Sequence, residues 1–338
     1  MLGDGTSIDK SSPIQIGPSL WRKILAGYAN SLAIKDNGTL WSWGANSSGA
    51  IGDGTTVSKL SPIQIGSSTW LDVASGGSIT TGLTCHSLAI KDDGTLWAWG
   101  NNTVGKIGDG TIINKLSPIK IGNLTWKKIK ASRLNSYAIR SDETLWAWGS
   151  NDCGQLGDGS TIDKSSPIQV GNSTWLTISS GAGHAVAIKK DGTLWSWGSG
   201  SFGKLGSGST INRSSPIQVG SSIWNDVSAG FNHTIAIKND GTLWSWGVNN
   251  SGMLGDGTTV NKSSPIQIGT YTWKAVSAGD TYSAAIRNDG TLWLWGSNNN
   301  GNIGVGNTIN RSSPVQIGSR TWSSVSAGGA HSLGLLDV

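Results

Sequence analysis

Hydrophobic and polar positions alternate in short runs along this chain, and the same runs recur from end to end. Thr234-Ile-Ala-Ile-Lys and Thr242-Leu-Trp-Ser-Trp-Gly are one adjacent pair, joined through Asp240-Gly241. Asp-Gly between two alternating runs is a strong short-range hairpin signal. A period of two puts Trp244 and Trp246 on one face of their strand. No segment carries a helical period over eleven residues, so the pattern predicts strands and turns only.

The repeat sets the architecture. Leu-Trp-x-Trp-Gly occurs six times, with first tryptophans at Trp41, Trp97, Trp146, Trp195, Trp244 and Trp293. The spacing is 49 residues except for a first step of 56. A Ser-Pro-(Ile/Val)-(Gln/Lys)-(Ile/Val)-Gly string occurs seven times, at Pro13, Pro62, Pro118, Pro167, Pro216, Pro265 and Pro314. Eight residues after each proline stands a lone tryptophan: Trp21, Trp70, Trp126, Trp175, Trp224, Trp273 and Trp322. Each unit therefore reads as four short strands: lone-Trp, Ala-Ile, Leu-Trp and Pro, the last an edge strand because proline cannot donate to a ladder. Four strands in about 50 residues is the signature of a propeller blade. The expectation is an all-β, seven-bladed β-propeller of four-stranded antiparallel blades, one domain over residues 1–338. An insertion falls at about 78–84 in the second unit.

The ends of the sequence bear on closure. Seven Pro, seven lone-Trp and seven Ala-Ile-type runs stand against six Leu-Trp runs. The first Pro run is expected to complete the last blade, leaving that blade one strand short. Its edge near Leu333–Leu336 would favour a monomer or weak self-association through strand pairing.

The string Ala-Gly-x-x-His-Ser-x-Ala-Ile-Lys-x-Asp-Gly-Thr-Leu-Trp-x-Trp-Gly-x-Asn-x-x-Gly-x-Leu-Gly-Asp-Gly resembles the repeat of the regulator of chromosome condensation family. The resemblance spans essentially the whole chain and implies a seven-bladed propeller, most like bacterial members. Function varies within the family, which includes nucleotide exchange factors, a plant ultraviolet-B receptor and enzyme inhibitors. In that receptor the sensing tryptophans lie in the Gly-x-x-His-type loop. Here the loop reads Gly27-Tyr-Ala-Asn, Gly181-Ala-Gly-His, Gly230-Phe-Asn-His and Gly328-Gly-Ala-His, without tryptophan.

Composition narrows the chemistry. The 338 residues include 50 Gly and 19 Trp, with only 13% charged. No apolar run of 18 residues occurs, so no membrane span is expected. The opening Met1-Leu-Gly-Asp-Gly-Thr has no basic n-region and no apolar h-region, so no signal peptide is expected in these residues. Two cysteines, Cys85 and Cys153, make neither a disulfide framework nor a multi-cysteine metal site. His86, His184, His233 and His331 share one register with Asn30, Asn135 and Tyr282. That interchange points to a buried imidazole donating to a backbone carbonyl rather than to a base or metal ligand. Asp4, Asp53, Asp109, Asp158 and Asp256 sit in Gly-Asp-Gly turns. One carboxylate per loop suits a turn and is too few oxygens for calcium. No phosphate loop, dinucleotide fingerprint or nucleophile elbow is present. The expectation is no enzyme, no cofactor and no metal.

Net charge is +5. Cations recur before the Ser-Pro motifs and after the Ala-Ile pairs, reading as a solvated rim. In the third unit, Lys115, Lys120, Lys127, Lys128, Lys130, Arg133 and Arg140 occur with no acid between them. Lys120, Lys127, Lys128 and Lys130 are thus a basic-patch candidate for an anionic partner. Sparse aromatic interleaving argues against nucleic acid.

Positions that differ among repeats are free to specify a partner. They are Tyr28, Ile79, Leu83, Arg133, Leu134, Phe231, Asn232, Asp280 and Thr281, in the Gly-x-x-His-type loops and the insertion. Loops on a rigid scaffold are where binding residues concentrate, and aromatic and Arg side chains suit a protein interface. The function expected is non-catalytic protein binding through that face. The alternatives are a guanine-nucleotide exchange factor-like regulator, a multivalent lectin, or a structural module of a surface protein. Low charge with abundant Ser, Thr, Asn and Gly suits a secreted or surface protein of a bacterium.

Overall fold

A computed structural model describes residues 2–77 and 84–337; most of the predicted insertion lies outside them. Among the described residues twenty antiparallel strands account for the regular structure, with a single 3-10 turn at Ser201–Gly203. The first sheet shows the plan. Trp21–Ala26 pairs with Asn30–Lys35, which pairs with Thr39–Gly44, which pairs with the first half of Lys59–Gly76. The second half of Lys59–Gly76 pairs with His86–Lys91 and so starts the next sheet.

This is the main departure from the sequence reading, which had separate Pro and lone-Trp strands. From the second pair onward each is one continuous element: Lys59–Gly76, Lys115–Ala131, Lys164–Ser180, Arg213–Ala229, Lys262–Ala278 and Arg311–Ala327. In Lys59–Gly76, Lys115–Ala131, Arg213–Ala229, Lys262–Ala278 and Arg311–Ala327 the first half pairs back and the second half pairs forward. Gly269 makes the change of direction in Lys262–Ala278 at φ +61°, a left-handed backbone that glycine adopts without strain. The Pro segments do lie at sheet edges: Ile266 and Gln267 pair with Ser245 and Trp244 and, among the described residues, with no strand beyond.

The Asp-Gly hairpins form as expected. Gly241 N–H donates to Lys238 O at 2.9 Å, and Thr242 N–H to Asp240 Oδ1 at 3.0 Å. The third unit differs, because Glu143 occupies the glycine position with φ +72°.

By its internal packing the chain divides into two compact units. One comprises the residues to Asp9, Gln15–Asp152 and Ser160–Trp175; the other Lys10–Ile14, Cys153–Gly159 and the residues from Leu176. In the first, a core of Leu88, Leu96, Ile107, Ile121, Trp126 and Trp148 fills the space between strands. In the second, Val186, Ile188, Trp224, Val227 and Trp246 do the same. Trp224 packs on both Trp244 and Trp246, with ring centroids 6.3 and 6.0 Å away, so these two do share a face. Burying one indole removes ~150–250 Å² from water, a stabilisation on the order of 4 kcal/mol. Repetition of that contact makes the scaffold stiff.

The expected Pro strand at Pro13 is not formed: residues 6–17 carry no strand. Elsewhere the Pro run is held by a Leu-Trp strand, and none pairs with it here among the described residues. Lys10–Ile14 nevertheless belongs to the second unit. Gly306 N–H donates to Ser11 O at 2.7 Å, just as Gly257 N–H donates to Ser312 O at 2.8 Å.

Candidate functional site

The Gly-x-x-His-type loops begin where each long strand ends and stop where the next buried strand begins. Glycine is required at the start of the loop by close approach. A Cβ on Gly230 would lie 2.3 Å from Gly279 O. In the second unit the loops are joined edge to edge by backbone hydrogen bonds. Ala182 N–H donates to Phe231 O at 3.1 Å, Phe231 N–H to Asp280 O and Asp280 N–H to Gly328 O, both at 3.3 Å. Phe231, Asn232, Asp280 and Thr281 are therefore neighbours. The first three are half-buried and Thr281 is exposed. In the first unit Tyr28, Arg133 and Leu134 are half-buried on equivalent loops, with Ser75 Oγ donating to Asn30 Oδ1 at 2.8 Å between repeats. Ile79 and Leu83 lie outside the described residues.

The histidines anchor these loops. His233 Nε2 lies 2.9 Å from Ser283 Oγ, and that hydroxyl donates to Met253 O at 2.8 Å. With its proton committed to the carbonyl, the hydroxyl oxygen accepts from Nε2–H, which assigns the tautomer. His86 does the same through Ser136 to Lys106 O, and His184 through Thr234 to Lys204 O. The ring thus reaches a backbone carbonyl through a hydroxyl of the next repeat, not directly as the sequence reading had it. Burial pushes His233 and His331 down to about 4. Burial, and then the nearby Lys106 ammonium, holds His86 well below the usual histidine range. Neutral and buried, the rings of His86, His184 and His233 each bond to a neighbouring repeat and hold their loops in place.

Two residues the sequence reading passed over lie beneath the same loops. Lys106 and Lys204 are buried at a register held elsewhere by Ala50, Gln155, Met253 and Asn302. Lys204 Nζ donates to Ala182 O at 3.2 Å and to Asn232 Oδ1 at 2.9 Å. Lys106 Nζ donates to Thr84 O at 2.9 Å and Arg133 O at 3.5 Å. Burial lowers both to about 8. The signal for them was a lysine in an otherwise uncharged column of the repeat. Each lysine, itself in a turn, ties a loop group to that turn, and so fixes Asn232 in one unit and the Arg133 backbone in the other.

Part of the third-unit run of cations is paired within the chain. Lys127 pairs with Glu143 at 2.9 Å, Arg140 with Asp142 at 3.0 Å and Lys115 with Asp109 at 2.9 Å. Acids absent from the intervening sequence arrive from hairpins and neighbouring loops. Lys120, Lys127 and Lys128 are exposed and Lys130 half-buried, on the same long strand. The expected solvated rim is also more ordered than a rim. Lys59, Lys115 and Lys262 pair with the Gly-Asp-Gly carboxylates Asp53, Asp109 and Asp256. Lys35, Lys91, Lys189 and Lys238 lie 3.6–3.8 Å from the centroids of Trp41, Trp97, Trp195 and Trp244.

Asp53 shows what the turn carboxylates do. It accepts from Thr55 N–H at 3.0 Å, Thr55 Oγ1 at 2.9 Å and Asn46 Nδ2 at 3.2 Å. Partial burial opposes ionisation, but these bonds and Lys59 lower its pKa overall. Its oxygens are used within the turn. Among the described residues no three His, Cys, Asp or Glu side chains converge to hold a metal ion.

The regulator of chromosome condensation (RCC1) repeat model matches six times, over residues 37–83, 93–139, 142–188, 191–237, 240–286 and 289–335. The chain belongs to the RCC1 repeat family. A second RCC1 repeat model matches six overlapping segments, from 21–50 to 273–302. Solved structures share the RCC1 fold. Human WBSCR16 superposes with TM-score 0.86 at 20% identity, covering 97% of this chain and 89% of that one. Prp20p from Saccharomyces cerevisiae, described with binding properties to Gsp1p and histones, gives 0.81 at 22%, covering 94% and 82%. Yeast RCC1 (Prp20) bound to Kap60 gives 0.81 at 21%, covering 94% and 80%. The architecture is thus an all-β, antiparallel RCC1-repeat propeller fold. No helix among the described residues is long and apolar enough to cross a membrane.

Proposed function

We propose that this RCC1-repeat chain is a single seven-bladed propeller that binds a protein partner without catalysing a reaction. The binding face is the one carrying the Gly-x-x-His-type loops. The observation that carries this reading is the stitching of the Phe231 and Asp280 loops onto one backbone-bonded rim beside buried His233 and Tyr282. A stiff base with side chains that differ from repeat to repeat is the arrangement a specific interface needs, because little ordering entropy is lost on binding. Phe231 supplies an aromatic anchor, and Tyr28, Arg133 and Leu134 supply the same chemistry in the first compact unit. The structural likeness to Prp20p, a protein with binding properties to Gsp1p and histones, supports a protein as the class of partner. The basic-patch lysines are secondary, because Lys127 is already paired within the chain.

The test is affinity capture with the whole chain against Phe231→Ala combined with Thr281→Arg. The first removes the anchor and the second places a bulky charge at an exposed neighbour. A protein held by the wild type and lost by the double variant, with the melting temperature unchanged, supports the reading. Equal retention by both overturns the choice of face.

A further inference from the structure

Three residues after each Gly-(Asp/Ser/Val)-Gly turn stands an aliphatic side chain: Ile8, Val57, Ile113, Ile162, Ile211, Val260 and Ile309. Every one is exposed, by 60–66%. A single exposed aliphatic needs no explanation, but one at the same loop position in all seven repeats does. In the second compact unit the neighbours in sequence are Thr and Asn, so each tip is one apolar point in a polar loop.

The loops of that unit are held side by side. Those carrying Ile211, Val260 and Ile309 leave their sheets at equivalent ends, beside the pairs Gly198↔Arg213, Gly247↔Lys262 and Gly296↔Arg311. Gly208 N–H donates to Ser263 O and Gly257 N–H to Ser312 O, both at 2.8 Å, which laces each loop to the start of the next long strand. The tips are fixed as well. Val260 N–H donates to Thr258 Oγ1 at 3.2 Å, and its carbonyl accepts from the buried Asn249 Nδ2 at 3.3 Å. Ile309 N–H donates to Asn307 Oδ1 at 3.0 Å, and its carbonyl accepts from Asn298 Nδ2 at 3.2 Å. The backbone is thus ordered before anything binds, and only side-chain freedom is left to lose. Phe202, 53% exposed, adds an aromatic ring to the loop of Ile211.

Charge separates this row from the tips of the first unit. The runs 3–10, 52–59, 108–115 and 157–164, which carry the first unit's tips, hold six aspartates and four lysines. The runs 206–213, 255–262 and 304–311 hold three cations and one acid, because Ser207 and Val305 stand where the other turns have Asp. That one acid, Asp256, is paired with Lys262 at 3.7 Å. Arg213 is exposed and Arg311 half-exposed, and neither has an ion pair among the described residues.

These features choose the occupant. With at least 60% of its surface in water, no tip packs on its neighbour, so the three do not merge into the contiguous pocket that anchors a folded partner. A fluid apolar phase needs no such continuity and takes separated side chains one by one. Cations without acids beside them add attraction to negative headgroups.

We propose that the row Ile211, Val260 and Ile309 is a peripheral docking surface for a lipid bilayer carrying anionic headgroups. The three aliphatic side chains enter the boundary between headgroups and acyl chains, and Phe202 takes the interfacial position that aromatic rings favour. Arg213 and Arg311 meet headgroup phosphate and carboxylate oxygens. The chain lies on the bilayer and does not cross it. The surface uses other residues than the proposed protein interface, and its test needs no protein partner, so either reading can fail alone.

The experiment is co-sedimentation of the whole chain with vesicles of phosphatidylcholine alone, and of phosphatidylcholine with roughly one-third phosphatidylserine. The wild type is expected to bind the anionic vesicles at least tenfold more tightly than the neutral ones, and less tightly as salt rises. Ile211→Ser/Val260→Ser/Ile309→Ser keeps every charge and is expected to weaken binding at least tenfold, with the melting temperature unchanged. Arg213→Gln/Arg311→Gln is expected to lose most of the preference for anionic vesicles. Val57→Ser/Ile162→Ser, in the first unit, is expected to bind as the wild type does. A second reading does not depend on the triple variant. A polarity-sensitive dye on Ile309→Cys, in a Cys153→Ser background that leaves only the buried Cys85, is expected to shift to the blue on anionic vesicles. No binding by the wild type, equal binding by the triple variant, or an unshifted dye overturns the proposal. An equal loss in the first-unit variant overturns the assignment to this row.

Discussion

Lys238 holds its ammonium 3.6 Å from the centroid of the Trp244 ring, and Trp244 in turn packs on Trp224. The cation caps a two-indole stack at the outer part of the sheet, where the ring face would otherwise meet water. Such contacts are worth about 0.5–1 kcal/mol at exposed sites. Lys238→Met keeps the aliphatic cover and removes the charge. It is expected to cost about that amount in urea unfolding, with no change of slope. Four lysine replacements at positions 35, 91, 189 and 238 are expected to add, because the stacks are separate.

Glycine positions should separate cleanly into costly and cheap. A Cβ on Gly255 would stand 2.7 Å from Trp295 Nε1 in a left-handed backbone at φ +82°. Gly255→Ala is expected to lose roughly 3 kcal/mol or more, because strain adds to displacement of a buried indole. Gly269, at φ +61°, has nothing within 4 Å of its Cβ position. Gly269→Ala is expected to lose only about 1–2 kcal/mol. Paired denaturation curves check the ordering.

Glu143 sits left-handed at φ +72°, where Gly241 has φ +83° in the equivalent turn. Its carboxylate accepts from Lys127 at 2.9 Å, a half-exposed ion pair that is worth roughly 0–1 kcal/mol. Relief of about 1–2 kcal/mol of backbone strain outweighs that loss. Glu143→Gly is expected to raise the melting temperature slightly, and more at high salt relative to the wild type, where the pair is screened. A fall at all salt concentrations would show that the pair dominates.

Stability should climb with pH in two windows. His233 drops from 6.5 unfolded to about 4 in the fold because it is buried. The unfolded chain therefore binds more protons between those values. Stability falls as pH drops through that window, by about 1.4 kcal/mol per unit for each such histidine. Lys204 drops from 10.5 to about 8, again by burial. Between pH 8 and 10.5 the unfolded chain again holds the extra proton, so stability contributed here rises with pH. Cys85, pushed up from 9.0 to about 11 by burial, acts with the opposite sign over its own window. Lys204→Met, the residue type found at Met253, is expected to flatten the alkaline rise by about 1.4 kcal/mol per unit and, because burial and then the Lys204 charge hold His184 down, to make the acid limb shallower. Melting temperatures across pH 4–10 in both proteins check this.

The strands and hairpins were legible in the sequence because each is set by local chemistry. Alternation defines Thr242–Gly247, and Asp240-Gly241 defines the turn before it. What was not legible depends on contacts between repeats. Nothing local shows that Pro265 and Trp273 belong to one strand that serves two sheets, since only pairing partners reveal it. The missing strand at Pro13 is the same lesson in reverse: the local sequence is right, and the partner that would hold it is not beside it. The pairing of Lys127 with Glu143 was not legible either, because that acid lies outside the run of third-unit lysines. For the candidate site, the differing loop residues could be read off the repeat, and the backbone bonds that make Phe231 and Asp280 neighbours could not. Lys106 and Lys204 were visible only as odd members of a column and were explained only by the carbonyls they meet.

The most direct measurement of the central claim is quantitative capture of protein partners by the wild-type chain beside Phe231→Ala/Thr281→Arg, with melting curves of both. The account predicts a partner retained by the wild type and reduced at least tenfold by the variant, at melting temperatures within about 2 °C of each other, as for surface changes that leave the core intact. Equal retention by the two proteins would contradict it and move the interface off the Gly-x-x-His loops.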